Sequence, residues 1–475
     1  MVEKRGYEIM NIDLDKIDFS NPKELKILFS KLLNEYENSL NENVKLIEII
    51  NKQKDEINRL NGEKGRPHFK PNKKDPPDDK EDLEYTQKKK KTDERDREPK
   101  KPKIKIDREE VLDFSDEEKE QLPDDVVFKG YRERIIQDIK ITTDNVRQKI
   151  SRYYSPNLGR TYEPVKKGLD EFGPGIHSLT LLLYFKGRVP KDKITNLLQE
   201  IGIIISGTKV LEIINGHEED FSKEKEDIFQ EGVKLTSYIN TDDTGIRKDG
   251  KNYYANVYCN PFFTVYKINE DKKRETIKKY LRRLGIKIQI LATDDAPQFK
   301  EITESLALCW VHEERHYKKM NPFIDYHKKL LKNFRRKIWD FYKKLKKYKE
   351  NPKKIVKKDL KKEFDKLFSE SYSYKDLDDR IKLTKNKKES LLLVLDYPEV
   401  PLHNNFSEIE IRELVIKRKV SGCLRSDKGV IAWENHFTIL RTCRKQNISY
   451  WQYLKNYYEG IEQVPLAKRV AQSTT

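Results

Sequence analysis

Three short stretches place carboxylates where a folded chain has to account for them: Thr241-Asp242-Asp243-Thr244-Gly245, Thr293-Asp294-Asp295-Ala296-Pro297 and Asn404-Asn405-Phe406-Ser407-Glu408-Ile409-Glu410. The second follows Ile290, Leu291 and Ala292, an apolar run that reads as a buried strand. A charged carboxylate at the end of a core strand is costly unless something pairs with it. Hard oxygen ligands suit Mg²⁺, which keeps several waters and accepts substrate phosphates. Three such sites brought together can hold two Mg²⁺ ions, with Mn²⁺ able to substitute. Such a pair activates a nucleophile and stabilises the leaving oxygen in phosphodiester cleavage and transfer. Each stretch also has an ordinary reading. An Asp-Asp pair commonly marks a turn or cap, and Asn405-x-x-Glu408 has the form of a capping box with Asn405 as N-cap. Strand alternation lets only one of Asp242 and Asp243 face the ions and does not say which.

The surrounding pattern supplies elements that could hold these residues. Residues 236–246, 251–259 and 262–268 read as three consecutive strands with short polar turns. A helix over 273–285, a strand over 286–295 and a further apolar run over 306–312 follow. Antiparallel strands, a helix and further strands make the skeleton of an α/β, ribonuclease-H-like core, divided here into residues 233–316 and 393–440. Between them, 317–392 reads as a lysine-rich helical insertion in which Leu331, Phe334, Ile338, Phe341, Leu345 and Tyr348 step by three and four along one apolar face. The run Ser390–Tyr397 looks strand-like, and 441–475 reads as a C-terminal helix and tail.

Upstream, Phe29, Leu33, Tyr36, Leu40, Asn43, Ile47, Ile50, Lys54 and Ile57 form a heptad seam, so residues 1–62 are expected to be a coiled coil that makes a homodimer or higher assembly. The alternative is an amphipathic helix packed on its own domain. Residues 63–110, with the run Lys88–Lys91, have the composition of a disordered charged linker. A small β-rich basic module is expected over 111–165 and a helical region over 166–232. Within the latter, helix, Gly202 and helix outline a helix-turn-helix across 191–216.

The net charge of +17 calls for a polyanionic partner, with double-stranded DNA the first candidate. No apolar run approaches the ~20 residues that span a bilayer, and the N-terminus lacks a signal-peptide pattern. Cys259, Cys309, Cys423 and Cys443 form no C-x-x-C pair, so a reducing, cytoplasmic and nucleoid-associated setting without disulfides is expected. Cys309 and His312 alone make a poor zinc site.

Taken in order, "DDTG", "LATDDAPQF", "CWVHEERHY", "NNFSEIEIRELVIKRK" and "RSDKG" resemble the DDE transposases of the insertion sequence sixty-six family. The resemblance is strong over about 235–455 and looser over 160–220. It implies a transposase that cleaves at element ends with Mg²⁺ and transfers strands into target DNA, with possible accessory proteins encoded by the element. Carried over position by position, it puts the catalytic and metal-holding carboxylates at Asp242, Asp294 and Glu408, with Asp243 where the family usually has Glu. It also makes His312 a residue near that centre, supporting the ligands or touching DNA. Arg412, Arg418, Lys419 and Arg425 are candidates for backbone phosphate contacts. Sequence logic favours Glu408 over Glu410, because Glu410 shares a helix side with Glu413 and Lys417 that reads as solvated, whereas Glu408 lies over Ile411, Arg412 and Val415. The cysteine-rich segment that many members carry after the coiled coil is missing, so recognition of element ends would fall to residues 126–220. The rival readings are a non-catalytic DNA-binding derivative and a structure-selective nuclease using the same metal site.

Overall fold

The computed structural model describes residues 21–60, 106–123, 126–163 and 171–473. The expected linker up to residue 105, with Lys88–Lys91, lies outside them, as do the side chains of heptad positions Lys54 and Ile57. The chain divides into two compact units, one of residues 44–140 and one of residues 1–43 with 141–475. Helix α1 (Pro22–Leu60) contributes to both. Among the described residues of the smaller unit, the short helix α2 (Asp116–Glu120) begins with a full capping box between Ser115 and Glu118.

In the larger unit a hairpin of β1 (Tyr153–Ser155) and β2 (Arg160–Tyr162) is all the strand structure found between residues 126 and 163, where a β-rich module was expected. The apolar residues of that segment, among them Ile136, Ile139 and Val146, are exposed. Helices α3 (Pro174–Leu181), α4 (Lys191–Glu200), α5 (Gly207–Asn215) and α6 (Glu218–Gly232) follow. Gly202 turns the chain between α4 and α5 at φ +91°, a conformation that side chains resist.

Next come β3 (Tyr238–Lys248), β4 (Lys251–Cys259), β5 (Thr264–Asn269), α7 (Arg274–Arg283), β6 (Ile290–Thr293), β7 (Ser305–Leu308) and α8 (Trp310–Lys318). The lysine-rich block forms α9 (Asp325–Glu350), α10 (Lys354–Leu367), α11 (Lys375–Lys385) and α12 (Lys388–Leu391). The chain ends in α13 (Asn405–Ser421), α14 (Asp427–Lys445), α15 (Tyr450–Glu459) and α16 (Leu466–Ala471).

The five core strands make a mixed sheet in the order β5-β4-β3-β6-β7, antiparallel from β5 to β3 and parallel from β3 to β7. This is the α/β class the pattern calls for. An exposed edge strand invites mispairing, and α14 closes the β5 edge. Its Glu434, Thr438 and Thr442, four residues apart on one helix face, accept the N–H groups of Ile268, Tyr266 and Thr264 at 2.8, 3.1 and 3.2 Å.

All six apolar residues named in the insertion are buried in a core of their own. Ser390–Tyr397, read as strand-like, is instead helix and 3₁₀ turn, with Leu391 and Leu395 lending carbonyls to Trp310 Nε1 and Tyr348 Oη at 2.9 Å. A short apolar run does not distinguish a strand from a buried helix.

The first half of α1 meets this helical block through polar contacts. The Glu37 carboxylate is 1% exposed and accepts from the Ile324 N–H at 3.1 Å and lies 3.2 Å from His327 Nδ1, while Asn34 bonds Ser373 and Lys375. Heptad residues Phe29, Tyr36, Ile47 and Ile50 stay exposed.

Candidate active site

β3 carries Asn240, Asp242 and Thr244 on the face that α13 covers, and Asp243 on the other. Of the two aspartates, Asp242 therefore turns towards α13, while Asp243 accepts from Gln298 Nε2 at 2.5 Å. In the parallel pair Asn240 lies opposite Ala292. Carrying that register on by two residues sets Asp242 beside Asp294, just past the end of β6. Asp294 Oδ1 accepts the N–H of Ala296 at 3.2 Å, which turns the chain away from the sheet.

Glu408 comes from the first turns of α13, and the start of that helix is fixed by Asn404. Its Nδ2 donates to the Thr241 carbonyl at 2.8 Å, its Oδ1 accepts from Asn240 Nδ2 at 2.9 Å, and its N–H reaches Cys309 Sγ at 3.3 Å. The capping-box reading fails here: Asn405 is the first helical residue, and the N-cap is Asn404, whose side chain bonds the sheet and caps nothing. The expectation of a solvated Glu410 face fails as well. Glu410 is 4% and Lys417 0% exposed, because Arg441 and the Tyr184 carbonyl sit against them. Glu408 nonetheless is the glutamate on the carboxylate side.

Asp242 feels the charges around it. Burial pushes the Asp242 carboxyl up to about 7; the Asp243 N–H opposes this, and the charges of Asp294, Asp243 and Glu408 add to it. Glu408 Oε1 is buried without a hydrogen bond, 3.5 Å from His312 Nε2 and 3.6 Å from Arg315 Nη1. His312 lies in the first turn of α8 rather than on a strand, and burial, with Arg315 beside it, lowers its imidazole pKa. Cys309 is not paired with it as a ligand: its thiol serves the Asn404 N–H, and burial raises its pKa.

Among the described residues, no three His, Cys, Asp or Glu side chains stand close enough to share one ion as they are arranged. The donor chemistry still suits a hard divalent cation, which would relieve the repulsion around Asp242 and give the Glu408 oxygen a partner.

Of the basic candidates, Arg412, Lys419 and Arg425 are exposed. Arg418 is half-buried and donates to the Gly245 carbonyl, which ties α13 to β3.

The roles of Asn404 and Arg315, which lie inside quoted motifs, and of Lys387 were not read from the sequence. Lys387 Nζ bridges Asp295 at 2.7 Å and Glu313 at 2.9 Å, joining the insertion to the neighbours of Asp294 and His312. An asparagine at an inward strand position, Asn240, was the available sign that a buried polar partner must exist.

A family model described as "Transposase IS66 family" matches residues 171–432. An uncharacterized protein, y4jO, of Sinorhizobium fredii is 35% identical over 184 residues, covering 38% of this chain and 57% of that protein. No helix among the described residues is long and apolar enough to cross a membrane.

Proposed function

The chain belongs to the IS66 transposase family, and from that premise we propose that it is a DNA transposase with Asp242, Asp294 and Glu408 as its catalytic centre. What carries the reading is that Asp242 lies within reach of the Asp294 and Glu408 charges, with a buried Glu408 oxygen left without a hydrogen bond. The strand order supports a ribonuclease-H-like core. Two Mg²⁺ ions, or Mn²⁺, held by the three carboxylates would activate the nucleophile and stabilise the leaving oxygen.

The chain's own residues set the geometry. Asn404 fixes the start of α13 and so the reach of Glu408. His312, its imidazole pKa lowered by burial, lies against Glu408. Arg412, Lys419 and Arg425 offer exposed cations to the phosphates of double-stranded DNA. In the first step a water oxygen bonds to phosphorus and the P–O3′ bond breaks, freeing a 3′-hydroxyl at the element end. That hydroxyl then attacks a target phosphorus, whose own P–O3′ bond breaks.

The exposed heptad residues of α1 would join protomers, and residues 126–220, with the α4–α5 pair, would find the element ends. Element-encoded accessory proteins and a cytoplasmic, nucleoid-associated setting complete the proposal. The test is a strand-transfer assay with purified protein, Mg²⁺ and the DNA flanking its gene, beside Asp242→Ala, Asp294→Ala and Glu408→Ala. Joined ends from the wild type alone support the reading. A wild type that cuts without joining points to a nuclease, and one that only binds points to a non-catalytic derivative.

A further inference from the structure

Beyond the carboxylates, β3 continues to a cleft of about 560 Å³ of which the phosphoryl-transfer scheme uses only Lys419. It lies by Gly245, three residues past Asp242 and so roughly 10 Å along the strand. Its lining includes Gly245, Arg247, Asn252, Tyr254, Arg418 and Lys419. None of its lining residues is acidic, in a chain where 38% of residues are charged. Gly245 pairs across the hairpin with Tyr254, and a Cβ added at Gly245 would meet nothing within 4 Å. The strand thus leaves the space beside the Tyr254 ring empty. The Lys272 ammonium lies 5.7 Å from the centre of that ring, and Arg247, Asn252 and Lys419 are exposed along the rim.

An aromatic ring beside an open space, bordered by cations and free of carboxylates, is what an unpaired nucleotide needs: a surface for the base to stack on and charges for its phosphates. Duplex DNA keeps its base faces covered and cannot use the ring. We propose that this cleft binds single-stranded DNA, with a base stacked on Tyr254 and the adjoining phosphates on Arg247 and Lys419. The inference rests on the transposase reading, which supplies such a strand: cleavage at the carboxylates frees an end, which would pass the edge of β3 to reach Gly245 and Tyr254 on the Asp243 face of the sheet. Arg418, already bonded to the Gly245 carbonyl, fixes the wall of the cleft.

The test is fluorescence anisotropy of the full chain at fixed salt, with labelled twelve-residue oligothymidylate and a blunt duplex of equal length as probes. Tyr254→Ala is expected to weaken oligothymidylate binding at least about tenfold and leave duplex binding within about twofold, while Tyr254→Phe keeps both. Lys419→Ala is expected to weaken binding of both probes. Unchanged oligothymidylate affinity in Tyr254→Ala overturns the proposal, as does an equal loss for both probes, which would mark general damage. Binding needs no cleavage, so the two readings fail separately. Tyr254-dependent binding by a protein that never cuts leaves this site standing and removes the transposase reading. Strand transfer by a protein whose oligothymidylate binding ignores Tyr254 does the reverse.

Discussion

Glu408 and Glu410 lie two residues apart on opposite sides of α13, and their surroundings differ completely. Glu410 is held by Arg441 Nε at 2.6 Å and Nη2 at 3.2 Å, with Lys445 at 3.6 Å and the Tyr266 hydroxyl at 3.3 Å. Glu408 has one oxygen buried without a hydrogen bond, with the His312 imidazole 3.5 Å and the Arg315 guanidinium 3.6 Å away. Glu434 repeats the first pattern: burial alone would raise its pKa, but Lys225 at 2.6 Å and Lys267 at 2.9 Å outweigh that and hold it below the ordinary value. A buried carboxylate with its cations in place belongs to the architecture. A half-buried one with an unbonded oxygen, such as Glu408, is what the proposed metal-holding role calls for.

The sharpest way to break the comparison is to neutralise each glutamate in turn. Glu410→Ala leaves the Arg441 guanidinium, 7% exposed, without its main partner and is expected to cost about 3–5 kcal/mol of stability by chemical denaturation. Glu408→Gln is expected to keep or slightly raise stability while strand transfer falls about a hundredfold or more. If both variants lose equal stability, Glu408 is architectural too and the contrast is empty. Next in size is Asn404→Ala, which strips partners from Asn240 and the Thr241 carbonyl. A loss of about 1–3 kcal/mol is expected, together with reduced strand transfer as the start of α13 loosens. Unchanged activity in that variant would mean that Glu408 is positioned by something else.

What the sequence could disclose follows from how local each signal is. Strand alternation around Asp242, the apolar run before Asp294 and the three-four spacing from Leu331 to Tyr348 are written in neighbouring residues, and they match the observed elements. The role of Asn404 is not local: its partners Asn240 and Thr241 lie more than 160 residues away, so the stretch was open to a capping reading. The same holds for Glu410, Glu413 and Lys417, which look solvated on a helix wheel. Glu410 and Lys417 are buried, and Glu413 half-buried, only because Arg441, Arg188 and Tyr184 come from other elements to meet them. Periodicity also could not tell that the alternation over residues 126–163 would yield only a three-residue hairpin, since alternation gives a strand a face but not a partner.

The smallest expected effect sharpens the contrast from the side of a base. His436 lies two residues after Glu434 on α14, stacked on Phe185 at 4.5 Å and 3.1 Å from the Tyr450 hydroxyl, and among the described residues no acid pairs with it. Burial lowers its pKa from 6.5 to about 3, with a smaller push from His217. A base with a depressed folded pKa contributes nothing to pH dependence above 6.5. As pH falls from 6.5 towards 3 the unfolded chain takes up a proton that the folded chain refuses, so stability is lost over that window. For this group alone the loss between pH 7.5 and pH 5.5 is about 1.4 kcal/mol. Urea denaturation of wild type and His436→Gln at both pH values measures it. The variant, weaker overall because it disturbs the stack, should lose less stability on acidification by about that amount. An identical acid response in the two proteins would mean that His436 can take up its proton in the folded state, and that the core around α14 is more open to water than its packing implies.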